Sequence, residues 1–90
     1  MDVQLRANFS GHVQGVGFRY QTVTISRNFD VQGYVQNMAD GTVDLVAEGE
    51  KSVLKEFLSS IESHLSQNIR ETKVNWCDPS GNYTGFDIRR

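Results

Sequence analysis

Gly11-His12-Val13-Gln14-Gly15-Val16-Gly17-Phe18-Arg19 is where the chain passes from an alternating pattern into a helical one, with three glycines within seven residues. Glycines at such a junction let the backbone turn tightly and bring its N–H groups close to a ligand. A helix opening near Arg19 adds unpaired amides and a partial positive charge, which together suit an anion. The guanidinium at the end of the loop supplies a two-pronged donor matched to phosphate oxygens. This stretch therefore predicts a phosphate cradle between a first strand and a first helix.

Upstream of the loop, Val3, Leu5, Ala7 and Phe9 alternate with Gln4, Arg6, Asn8 and Ser10, a half-buried strand. Downstream, Phe18, Thr22, Ile25 and Phe29 recur at helical spacing, so a helix is expected from Phe18 to Phe29. Its β-branched residues make it weak by propensity, and packing must hold it. Asp30 is expected to end it in a left-handed conformation. Val31 to Met38 reads as a second strand and Thr42 to Ala47 as a third, with Gly49 ending it. The Asp40-Gly41 pair between them signals a hairpin.

A second helix is expected from about Lys51 to Leu65, with Leu54, Phe57, Leu58, Ile61 and Leu65 as its apolar stripe. Thr72, Val74 and Trp76 alternate in a fourth strand, and Phe86 with Ile88 marks a short last one, with Trp76 and Phe86 expected in the core. Two helices cannot cover both faces of such a sheet. The order βαββαβ therefore predicts an α+β, ferredoxin-like sandwich, an antiparallel-rich sheet with both helices on one face and a short extra C-terminal strand. The helical crossover makes the first two strands parallel, so the loop and Asn37 emerge at the same sheet edge. One intervening strand would put them about 10 Å apart, within reach of the Arg19 and Asn37 side chains.

Ninety residues with 38% hydrophobic and 10% aromatic content suit one folded domain spanning residues 1–90. A net charge of -2 argues against a general nucleic-acid partner, which would require a basic face. No apolar run reaches membrane-spanning length, no signal-peptide pattern opens the chain, and the single Cys77 cannot form an internal disulfide. The expectation is a cytoplasmic monomer with no membrane partner.

The loop together with Gly33-Tyr34-Val35-Gln36-Asn37-Met38-Ala39-Asp40-Gly41-Thr42-Val43 resembles the acylphosphatases, and the resemblance extends to the closing Gly85-Phe86-Asp87-Ile88-Arg89. It implies metal-independent, cofactor-free hydrolysis of a small acyl phosphate to a carboxylate and inorganic phosphate, with no covalent enzyme intermediate. The family's roles, carried onto this chain, give the amides of Gln14, Gly15, Val16, Gly17 and Phe18 and the Arg19 side chain to the phosphoryl oxygens. Asn37 would hold the attacking water. Such chemistry suits a site without a strong base, because the leaving group is already good and positioning dominates. His12 and Gln36 stand where the family often carries cations, and Tyr34 where it often carries Trp, which predicts weaker steering of an anionic substrate.

Other residues read as structural. His12 is expected at a partly exposed strand end, His64 on the surface of the second helix, and Cys77 as a thiol without a phosphatase loop around it. The histidines and the cysteine have no metal-ligand spacing, so no metal site is expected. A non-catalytic phosphate-binding domain of the same fold is the first alternative. An RNA-binding module is the second, and it lacks the aromatic signature such a sheet needs.

Overall fold

The computed structural model describes all residues from Met1 to Arg90. Its elements are β1 (Asp2–Gly11), α1 (Phe18–Ser26), β2 (Gln32–Asn37), β3 (Val43–Glu50), α2 (Lys51–His64), β4 (Ile69–Cys77) and β5 (Phe86–Arg89). The five strands form one sheet in the order β4-β1-β3-β2-β5. β3 runs antiparallel to both β1 and β2, so β1 and β2 are parallel to each other, and β5 adds to β2 in parallel. Leu5, Ala7 and Phe9 of β1 face the helices with Val43, Leu45 and Ala47 of β3, Val35 of β2, and Leu54, Phe57 and Ile61 of α2, in one buried cluster. The α+β, ferredoxin-like arrangement is as expected.

Four local expectations are corrected. α1 ends at Ser26, not Phe29, because the backbone tightens into i→i+3 bonds from Arg27 to Thr24, Asn28 to Ile25 and Phe29 to Ser26. Phe29 still packs against the core, with its ring 5.7 Å from that of Phe57. Asp30 is not left-handed, since no residue other than glycine has positive φ. Gly49 does not end the third strand. β1 continues to pair there, Val3 opposite Gly49 and Asp2 opposite Glu50, and a Cβ on Gly49 would lie 2.9 Å from the Asp30 carbonyl. Trp76 and Phe86 are half-buried against the core and do not belong to its interior. The threonines that weaken α1 by propensity return their hydroxyls to the helix, Thr22 to the Phe18 carbonyl and Thr24 to that of Tyr20.

The hairpin between β2 and β3 closes with the Met38 N–H donating to the Thr42 carbonyl at 2.8 Å, leaving a three-residue loop with Gly41 at φ +90°. Asp40 accepts the Thr42 N–H at 3.1 Å and its hydroxyl at 2.6 Å, which lowers its pKa, so this carboxylate serves the turn.

At the opposite end of the sheet, Glu48 is 8% exposed. It accepts hydrogen bonds from Gln4 Nε2 (2.6 Å), from Ser80 N–H and Oγ (2.7 and 2.8 Å) and from Gly81 N–H (2.9 Å). Burial pushes its carboxyl up, but the donors from Ser80, Gln4 and Gly81 outweigh that and hold it at about 2, against 4.5. The folded state thus binds its proton more weakly than the unfolded chain. The stabilisation is full above pH 4.5 and lost as pH falls toward about 2. It is on the order of 3 kcal/mol. Glu48→Gln is expected to lower the urea midpoint at pH 7 and to flatten its decline on acidification. An unchanged acid limb would show that Glu48 is not the group responsible.

Candidate functional site

Phe9 of β1 and Asn37 of β2 are both register partners of Val43 in β3. One residue of the middle strand therefore separates the strand that feeds the glycine loop from the strand that ends in Asn37, a span of about 10 Å at ordinary ladder spacing. Asn37 follows Val35 on the helix-facing side of β2, because side chains alternate along a strand. α1 begins on that side of the sheet, at the end of the loop.

A cavity of about 150 Å³ lies there, lined by Gly15, Gly17, Phe18 and Arg19 from the loop and the first turn of α1, and by Asn37 from β2. Val13, Tyr20 and Ile88 complete its walls. The expected meeting of Arg19 and Asn37 beside the loop is thus present in the fold. The backbone alternates sharply, with φ +77° at Gly15 and +78° at Gly17, values that side-chain-bearing residues rarely adopt. Gly17 is the N-cap of α1 and no side chain caps the helix. The N–H groups of residues 14–18 have no acceptor within the protein. Such uncapped amides, alternating in hand at a helix N-terminus, make an anion-binding concavity.

Arg19 is half-buried and is the one charged residue lining the cavity. Asn37 is also half-buried, and its Oδ1 is shielded from solvent without a hydrogen-bond partner. A buried acceptor left unpaired is costly unless a donor arrives from outside the chain. No histidine, cysteine or carboxylate lines this cavity. The larger cavity of about 550 Å³ lies at the other end of the β1–β3 ladder, and Asp2, Asp30, Glu48 and Glu50 on its walls would repel a phosphate.

Two of the loop residues expected to contact phosphate, Gln14 and Val16, do not line the cavity. Val16 packs against the core. The Gln14 carboxamide instead reaches across to the hairpin, donating to the Met38 carbonyl at 2.8 Å and the Thr42 carbonyl at 2.9 Å. It ties the loop to the turn immediately after Asn37, a side-chain role invisible in sequence because its partners lie 24 and 28 residues away. Asn68 does the same at the base of the loop. Its carbonyl accepts the His12 N–H at 2.9 Å and its Nδ2 donates to the His12 carbonyl at 3.1 Å. His12 itself is exposed and outside the cavity. His64 lies on the surface at the end of α2, and the exposed Cys77 thiol donates to Gln4 Oε1, in the Glu48 network.

Three comparisons bear on this geometry. The acylphosphatase family profile matches residues 5–88. The acylphosphatase of Archaeoglobus fulgidus is 46% identical over 87 residues, covering 96% of this chain and 97% of that protein. That of Salinibacter ruber is 36% identical over 88 residues, covering 97% and 93%. The crystal structure of the acylphosphatase from Bacillus subtilis superposes with a TM-score of 0.87 at 27% identity, covering 98% of this chain and 99% of that one.

Proposed function

This chain belongs to the acylphosphatase family, and we propose that it hydrolyses acyl phosphates to a carboxylate and inorganic phosphate at the cavity between the glycine loop and Asn37. One observation carries the reading: a half-buried, unpaired arginine and a carboxamide with an orphaned oxygen share a cavity with main-chain amides that nothing in the protein uses. The loop amides that line the cavity, those of Gly15, Gly17 and Phe18, and the Arg19 guanidinium take the phosphoryl oxygens. The Asn37 carboxamide hydrogen-bonds a water and aims it at phosphorus, opposite the bridging oxygen. The water oxygen forms the new P–O bond, the bridging P–O bond breaks, and its electron pair leaves on the carboxylate.

A carboxylate leaves without protonation at neutral pH, since its conjugate acid has a pKa near 4. The water's surplus proton passes to product phosphate or solvent. Catalysis then rests on alignment and on charge stabilisation at the equatorial oxygens, which are the contributions this cavity can make. The cation at the phosphoryl group is Arg19, so the reading requires no metal.

Benzoyl phosphate hydrolysis by the purified protein tests the reading, and absence of turnover would overturn it. Asn37→Ala is expected to lower kcat by about 10²–10³-fold, the range for losing one positioned hydrogen-bonding group. Competitive inhibition by inorganic phosphate should persist, because the amides and Arg19 remain. Near-normal kcat in this variant would remove Asn37 from the mechanism.

A further inference from the structure

The phosphoryl group and the water account for Arg19, Asn37 and the loop amides and, with Val13 sunk in the core, leave two walls of the same cavity unused: Tyr20, next to Arg19 in the first turn of α1, and Ile88 of β5. Tyr20 is 71% exposed. The other large apolar residues on the surface are the terminal Met1 and Val74 on the edge strand β4, and neither lines this cavity. Inside the protein, Tyr20 takes part in no ring–ring pair, while Phe9, Phe18, Phe29 and Phe57 all do. Its exposure coincides with the mouth of the site.

We propose that Tyr20, with Ile88 beside it, is the platform for the acyl group, and that it makes the enzyme selective for acyl phosphates whose acyl part is flat and apolar, aromatic ones above all. The proposal rests on the reading that the cavity holds the phosphoryl group. A cavity of about 150 Å³ is too small to enclose a phosphoryl group and a ring together. The acyl group must therefore project to the rim. It starts one bridging oxygen away from phosphorus, and Tyr20 starts one residue away from the arginine that clamps the phosphoryl oxygens.

Charge offers the acyl group nothing to recognise. Arg19 is the one charged residue of the lining and is committed to phosphate, so the lining itself offers a charged acyl group no counter-charge. What remains to discriminate substrates is apolar area and the face of an aromatic ring, and stacking on such a face favours aromatic partners by about three- to tenfold. A small acyl group such as acetyl barely reaches it.

The test is the ratio of kcat/KM for benzoyl phosphate to that for acetyl phosphate, measured for wild type, Tyr20→Ala and Tyr20→Phe. Tyr20→Ala is expected to lower the ratio about three- to tenfold, and Tyr20→Phe to retain it, because the ring and not the hydroxyl makes the contact. Equal losses on both substrates in Tyr20→Ala, or no change in the ratio, would overturn the platform while leaving the hydrolase intact. Failure of the wild type on both substrates would overturn the hydrolase reading and the platform with it.

Discussion

Arg19→Ala should lower kcat/KM for benzoyl phosphate by on the order of 10³–10⁵-fold, the range in which one arginine at a transferring phosphoryl group operates. It should also remove competitive inhibition by inorganic phosphate. No other charged side chain lines the cavity, so nothing nearby can substitute for it. Arg19→Lys keeps the charge but loses the planar fork that grips two oxygens, and recovers only part of the activity. The stability effect should run differently. Arg19 is half-buried and unpaired within the protein, so its removal takes away no intramolecular partner and should leave the urea midpoint near that of the wild type. A variant that loses less than tenfold in kcat/KM, or that unfolds, would return Arg19 to the scaffold.

The second large effect concerns stability. Gly33 has φ +148° near the start of the β2–β3 ladder, opposite Ala47, and a Cβ there would stand 1.9 Å from the Val46 carbonyl oxygen and 2.8 Å from its carbon. Both obstacles are backbone of the central strand, which cannot swing aside as a side-chain tip could. Gly33→Ala is therefore expected to destabilise the protein by about 4 kcal/mol or more, a large share of the roughly 5–15 kcal/mol of a typical domain. Urea denaturation measures it. Gly41→Ala is the control: its φ is +90° but no atom lies within 4 Å of the added carbon, so only the backbone preference of about 1 kcal/mol is lost. Equal losses at the two positions would refute the clash. Because β2 ends in Asn37, displacing it at Gly33 should also disturb the cavity.

Short-range chemistry accounts for the parts that were readable in the sequence. The glycines that turn the loop, the arginine that ends it, the Asp40-Gly41 turn and the apolar stripe of α2 each act within a few residues of themselves. The parallel relation of β1 and β2 followed from the helical crossover, and with it the meeting of Arg19 and Asn37. What stayed hidden acts across the fold. The reach of Gln14 to Met38 and Thr42, the tie of Asn68 to His12 and the encirclement of Glu48 by Gln4, Ser80 and Gly81 join residues 24 to 56 positions apart. No periodicity encodes such pairs. Gly49 misled for a related reason: a glycine inside a strand looks like a stop until the Asp30 carbonyl pressing on it is seen.

Val43, flanked by Phe9 on one side and Asn37 on the other, has a consequence for how this molecule comes alive. The hairpin beside it is local and can zip early, whereas the ladder to β1 must close over the loop, α1 and β2, a slower event. Until it does, the glycine-loop half and the Asn37 half of the cavity are strangers on one string. Turnover during refolding thus dates the joining of the central three strands, and a partly assembled chain is silent with no inhibitor, lid or switch to keep it so.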